Sequence, residues 1–317
     1  MKYAIRKILL VTTLLTLGAV TRAQENEPLK PPGQMVDVGG YQLYFHVKGD
    51  AETTIVIEPG TGSWSLQWLE FQNELSKYFK VVTYDRAGYG LSEPSPYSRT
   101  AGNIAEELHT GLINAEISAP YILLGHSYGG LIVKAFTNKY PDEVSAFILA
   151  DAATEYQFAL LPEMVLMILE AGMQRFRQTG LLARMGKFMS AHIPVDSTLN
   201  SKYWEVYKYS ASRASFYDAM YNEMDLLILT YKQSQFSKLI DKPILVITAE
   251  NSFGAFSSVP NLPVEECNEV WAGLQKNQLT ISSNSKQYII KNATHDLLLT
   301  ASNELSQVII EFVNGLN

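Results

Sequence analysis

One stretch limits the fold more than any other: "YILLGHSYGGLIVKAF", residues 121–136. A continuous apolar run of strand length reaches Gly-His-Ser-Tyr-Gly-Gly and then turns apolar again at helical spacing. A strand buried on both faces reads this way where it enters a sharp turn and a buried helix. The rhythm recurs along the chain. "TTIVIE" (53–58), "KVVTYD" (80–85), "SAFILAD" (145–151), "PILVITAE" (243–250) and "KQYIIK" (286–291) read as strands. Residues 66–79, 100–117, 128–140 and 297–316 carry helical spacing. The second of these helices is expected to be capped by Thr100 or Asn103, and the third to end at Pro141. "QMVDV", "GG" and "YQLYFHVKG" read as a hairpin. Such alternation predicts an α/β fold, a mostly parallel central sheet with helices on both faces.

The rhythm lapses across residues 152–241. This block is rich in Met, Leu, Phe and Tyr at helical spacing, as in "LLPEMVLMILEAGMQRF", and holds no clear strand pair. It is expected to be a helical cap inserted into a sheet domain made of residues 35–151 and 242–317. Its apolar side chains either form the cap's own core or line an apolar pocket. Trp64 and Trp68 either line the mouth of a site or pack the first helix on the sheet.

Charge narrows the function. The 317 residues carry 25 Lys and Arg against 32 Asp and Glu. Lys2, Arg6, Lys7 and Arg22 fall within the first 23 residues, which hold no acid. Without that segment 21 basic side chains face 32 acidic ones, a net charge near −11. So acidic a body lacks the basic footprint of sequence-independent nucleic-acid binding. Residues 1–23, with a positive start, a short apolar stretch over 8–20 and Ala23 before the expected cut, read as a secretory signal peptide. Residues 24–34 are polar and Pro-rich, as a flexible lead-in would be. The expectation is an exported protein, periplasmic or secreted, with no stable membrane span once the signal is removed. Cys267 is the only cysteine, so no disulfide can form within the chain. "NAT" at 292–294 matches a glycosylation acceptor. A glycan there would crowd His295, so none is expected, which fits a bacterial source.

Ser127 is the candidate nucleophile. Gly-x-Ser-x-Gly is a weak motif alone and gains weight from its strand–turn–helix setting. On such a turn, side chains at Gly125 and Gly129 would collide with the adjoining strand and helix, and Gly130 lets the helix pack closely. A serine hydroxyl needs a base. Among the histidines, His46 lies in a strand, His109 on a surface-like helix, and His192 in the cap. His126 adjoins the serine and is expected to point away from it. His295 follows the last strand, where a loop returns to the same edge of the sheet, and is the candidate base. An oxyanion hole needs two preorganised N–H donors. The Tyr128 amide is one candidate. Thr61, in the "PGTG" loop, is the other. No His-Glu-x-x-His run or phosphate-loop lysine is present, so no metal, nucleotide or redox cofactor is expected.

These stretches, with "YDRAGYGLS" (84–92), "RTAGNIAEELHTGL" (99–112), "KYPDEVSAFILAD" (139–151) and "ATHDLLL" (293–299), resemble the α/β-hydrolase family, and in particular its small esterase-like members. The resemblance covers nearly the whole chain after the signal. It implies a serine hydrolase acting on a small-molecule carboxylic ester through an acyl-enzyme. An acyltransferase or carbon–carbon-bond hydrolase is the alternative, and a non-catalytic binding protein a third. Serine as nucleophile sets the chain apart from relatives that use aspartate, such as epoxide hydrolases and haloalkane dehalogenases. Two departures stand out. The loop that usually begins His-Gly here has Glu58 and Pro59. The usual acid slot after "PILVITAE" falls at Ser252. The resemblance offers a second place for the acid that orients His295, and Asp151, at the end of the preceding strand, is the candidate; Glu250 is the alternative. Asp296 is expected to point away or to cap the last helix.

Overall fold

A computed structural model describes residues 31–184 and 199–316. The expected signal segment and His192 lie outside the described residues. Eight strands form one sheet in the order β1-β2-β4-β3-β5-β6-β7-β8. They are β1 (Gln34–Asp37), β2 (Gln42–Lys48), β3 (Thr54–Glu58), β4 (Lys80–Tyr84), β5 (Tyr121–His126), β6 (Val144–Ala150), β7 (Ile244–Ala249) and β8 (Ser285–Ile290). The hairpin partners β1 and β2 pair antiparallel, as do β2 and β4, and the pairs from β4 to β8 are parallel. The α/β sheet predicted from the alternating pattern is the observed architecture.

The helices are α1 (Leu69–Leu75), α2 (Ala101–Asn114), α3 (Gly129–Lys139), α4 (Gln157–Leu160), α5 (Glu163–Arg184), α6 (Trp204–Ala211), α7 (Ala214–Asp225), α8 (Leu227–Ser234), α9 (Val264–Asn277) and α10 (Leu297–Asn314). The period-2 geometry of a strand sends neighbouring side chains to opposite faces. In β6, Phe147 and Leu149 join one apolar layer with Leu131 and Phe136 of α3 and Leu108 of α2. Ile148 and Ala150 join the other, with Phe71 and Leu75 of α1 and Ile309 of α10. Burial on both faces explains why these strands read as unbroken apolar runs.

The connections position the site. After β3 the chain moves through α1 to β4 on one side of β3, and after α2 it returns to place β5 on the other. The loops following β3 and β5 therefore part in opposite directions, and a crevice opens at the carboxyl ends of the strands. Between β6 and β7 the described residues form α4 to α8 and no strand.

Three local expectations change. Thr100 stands at the start of α2, but its side chain makes no capping bond. The first amides of α2 are satisfied from α8 instead: Ala101 N donates to Thr230 Oγ1 (3.1 Å) and Gly102 N to Gln233 Oε1 (2.8 Å). Asn103 turns back to Ser98. The end of the lead-in, expected to be flexible, is tied down, because Gln34 pairs with Phe45 and the Tyr44 hydroxyl donates to Pro32 O at 2.6 Å. The sequence pattern also did not mark α9, whose apolar face is narrow: Cys267, Trp271 and Leu274 are buried while most other positions are exposed.

Packing against backbone is very close where α3 begins. A Cβ on Gly129 would sit 2.1 Å from Glu58 O, whereas one on Gly273, in α9, meets nothing within 4 Å. Gly129→Ala is therefore expected to destabilise the protein by about 3 kcal/mol, and Gly273→Ala to stabilise it by about 0.5–1 kcal/mol. Urea unfolding of the two variants checks both signs.

Candidate active site

The turn between β5 and α3 carries Ser127 at φ +52°, a left-handed conformation that costs a non-glycine residue about 1–2 kcal/mol. The turn is held by its surroundings. Ser127 O accepts from Gly130 N (3.0 Å) and Ala153 N (2.8 Å), which fixes it to the segment after β6. Cβ atoms would meet Gly129 O at 2.7 Å on Gly125 and Ala152 Cβ at 2.4 Å on Gly130. The glycines are thus required by close approach on three sides, and the serine side chain is left facing the crevice.

His295 follows β8 and accepts the serine. Its Nε2 lies 2.9 Å from Ser127 Oγ and its Nδ1 lies 2.6 Å from Asp151 Oδ2. An ionised carboxylate only accepts hydrogen bonds, so Nδ1 carries the hydrogen and Nε2 offers its lone pair to the serine hydroxyl. Asp151, directly after β6, is fully buried, at 0% exposure. It too has a left-handed backbone, at φ +43°. Its Oδ1 accepts from Ala249 N (3.1 Å) and Trp271 Nε1 (2.9 Å), and Ser252 Oγ approaches Oδ2 at 2.8 Å. These donors replace the water that a carboxylate loses on burial.

Of the candidate acid Asp151 and its alternative Glu250, it is Asp151 that reaches His295. Glu250 is exposed, and its Oε2 accepts from Asn292 N at 2.9 Å. Ser252, at the slot where the resemblance placed the usual acid, donates to Asp151. Asp296 caps α10 by accepting from Leu299 N at 3.2 Å.

The loop after β3 closes the other side. A Cβ on Gly60 would lie 3.0 Å from Ser127 Cβ, which brings the backbone at Thr61 beside the serine. Tyr128 precedes α3, so its amide belongs to the helix N-terminus next to Ser127. Thr61, Ser127 and His295 line two cavities. One, of about 380 Å³, is apolar, with Leu161, Leu169, Met173, Phe176 and Met224 in its wall. The other, of about 210 Å³, holds Ser63, Trp68 and His126. Trp68 thus reaches the site, whereas Trp64 packs against Tyr207 and Phe216 of the helices between β6 and β7. The apolar residues of that segment serve both roles that the sequence allowed, since Phe216 and Met220 are core and Met173 and Met224 line the cavity. Among the described residues no three His, Cys, Asp or Glu side chains converge as a metal site would need.

Sequence reasoning missed two contributors. His126 does not bond Ser127, yet it does not simply point away: its Nε2 donates to His295 O at 2.9 Å and its ring lies 5.0 Å from the His295 ring. Trp271 sits edge-on to His295 at 5.9 Å while bonding Asp151, and was invisible because α9 was not recognised. His109 is half-buried, stacked on Tyr140 at 3.7 Å, with Glu143 at 2.9 Å.

The alpha/beta hydrolase fold family matches residues 53–300. The chain belongs to this family. Among solved structures, this α/β hydrolase superposes on the epoxide hydrolase CorEH with a TM-score of 0.67 at 14% identity, over 90% of this chain and 99% of that one. A thermophilic esterase from Thermogutta terrifontis gives 0.59 at 18% identity, over 90% and 99%. Among curated proteins, YqjL of Bacillus subtilis, an uncharacterized protein, is 35% identical over 120 residues, 37% of this chain and 47% of that protein. A putative carbamate hydrolase RutD of Cronobacter turicensis is 35% identical over 96 residues, 30% and 36%. The chain spans less than half the length of these curated relatives.

Burial, and then the charge that a protonated His295 would bring, push the pKa of His126 down from 6.5 to about 4. The unfolded chain takes up this proton as pH falls through about 6.5, and the native state only near 4. Native stability therefore declines over that window. His126→Gln removes the contribution. The stability advantage of wild type over the variant is expected to shrink between pH 7 and pH 4.5 in urea titrations, and an advantage that grows would contradict the assignment.

Proposed function

We propose that this α/β hydrolase is a serine hydrolase that cleaves carboxylic esters through an acyl-enzyme. The observation that carries this is the continuous chain Ser127 Oγ to His295 Nε2 (2.9 Å) and His295 Nδ1 to Asp151 Oδ2 (2.6 Å). Ser127 attacks the ester carbonyl carbon as its proton passes to His295 Nε2. Asp151 holds the ring in the tautomer that can take that proton and stabilises the imidazolium. The amides of Thr61 and Tyr128 receive the oxyanion. The imidazolium then protonates the departing alkoxide. Water, deprotonated by His295, attacks the acyl group and returns Ser127 free.

The helices between β6 and β7 act as a cap, and the apolar cavity they share with the site suits a small or moderately apolar substituent. The smaller, more polar cavity suits the other half of the ester. The esterase among the structural neighbours and the putative carbamate hydrolase among the relatives support carbonyl-directed hydrolysis. A serine nucleophile argues against the epoxide chemistry named for another neighbour. Export by residues 1–23 is part of the same proposal. Finding Gln24 at the N-terminus of protein recovered from the periplasm or medium would support it, and an intact N-terminus on cytosolic protein would refute it.

The triad is tested by steady-state hydrolysis of p-nitrophenyl butyrate. Asp151→Asn is expected to lower kcat by roughly 10⁴-fold, and Glu250→Gln to leave it within about two-fold. Ser127→Ala is expected to lose both turnover and labelling by a fluorophosphonate. Full activity in Asp151→Asn with loss in Glu250→Gln would reassign the acid.

A further inference from the structure

Beneath the Thr61 loop lies a fully buried ionic cluster that the mechanism above does not use. Arg86, in the segment after β4, is 1% exposed, and Glu58 and Glu223 are 0% exposed. A guanidinium has five N–H donors, and every nitrogen of this one is engaged. Nη1 donates to Glu58 Oε1 and to Pro59 O, both at 2.7 Å. Nη2 donates to Gly60 O (2.9 Å) and Glu223 Oε2 (3.2 Å), and Nε to Glu223 Oε1 (2.8 Å). The Tyr84 hydroxyl donates to Glu58, and that of Tyr89 to Glu223 Oε2 at 2.8 Å. Tyr89 in turn accepts from Gly62 N at 3.4 Å. The same cluster therefore grips the loop at Pro59, Gly60 and Gly62, with Thr61 between them.

Glu223 belongs to α7, in the insert. One turn earlier Met220 packs on the same loop, where a Cβ on Gly62 would lie 2.9 Å from its Sδ. The next residue, Met224, lines the apolar cavity. A buried ion cluster holds elements together no better than apolar side chains of equal volume. What it adds is geometry, since a planar fork fixes the direction of each carbonyl it binds.

We propose that Arg86 is a positioning residue for the oxyanion loop. It holds the Pro59 and Gly60 carbonyls so that the Thr61 amide faces the oxyanion, and through Glu223 it makes that geometry depend on the cap helix lining the substrate cavity. The inference rests on the ester-hydrolase proposal, and one arm of its test is independent of catalysis.

Arg86→Lys keeps the charge but replaces the fork with one nitrogen. Glu223→Gln keeps the shape and weakens the tie to α7. With p-nitrophenyl butyrate, Arg86→Lys is expected to lower kcat roughly 10- to 100-fold with little change in KM. Inhibition by butylboronic acid, which forms a tetrahedral anion on serine, should weaken by a similar factor, while inhibition by butyrate should not. Glu223→Gln should shift the same quantities in the same direction by less. Hydrogen exchange at the amides of residues 60–62 should speed up in both variants, whether or not the chain hydrolyses esters. If wild type shows no Ser127-dependent turnover but the loop loosens, the ester assignment fails and the clamp stands. Folded variants with unchanged loop exchange, or with loosened loops but unchanged kcat and boronate inhibition, overturn the clamp. Should Arg86→Lys not fold, the same outcomes in Glu223→Gln decide.

Discussion

The site depends on how closely the turn at residues 127–130 approaches the two strands beside it. Gly129 lies over the last carbonyl of β3 and Gly130 against Ala152 after β6, at separations no side chain could tolerate. Closeness to β3 brings the Thr61 loop to Ser127, and closeness to β6 brings Asp151 within reach of the histidine. The first contact is with backbone and the second with the Ala152 methyl, and together they hold Ser127 in a left-handed conformation that its own preference opposes. The same approach starts α3 beside the serine, where helix amides face the crevice.

From that point charge governs the design. Asp151 stays in a fully buried place because Ala249, Ser252, Trp271 and His295 all direct donors at it. Ser252 is informative: at the slot where the resemblance placed an acid stands a donor to an acid one strand over. Behind the Thr61 loop the problem is different, since two carboxylates share one guanidinium. Burial raises Glu58 to about 7, opposed by Arg86. Both clusters tie neighbouring strand ends together, and the second also reaches the insert.

How much of this could be read from the chain followed the range of the interactions. β3, β5 and β6 were legible because burial on both faces leaves unbroken apolar runs, and the turn at Ser127 because glycine spacing records a local collision. The return of His295 to the same edge followed from the order of strands. The choice of Asp151 over Glu250 rested on the family resemblance, since both stand directly after a strand and only side-chain direction separates them. The Arg86–Glu223 pair was hidden because its members are 137 residues apart. The capping of α2 by Thr230 and Gln233 was hidden for the same reason. In α9 too few positions are buried to leave a clear pattern, and Trp271 went with it.

The central claim is that Ser127 carries an acyl group during turnover. Mass spectrometry of protein quenched in acid during hydrolysis of p-nitrophenyl butyrate tests this most directly. The account predicts a butyryl adduct on the peptide containing Ser127, accumulating when a more reactive butyrate ester makes deacylation the slow step. An adduct on another side chain, or turnover with incorporation of solvent oxygen and no acylated protein under any such condition, would contradict it.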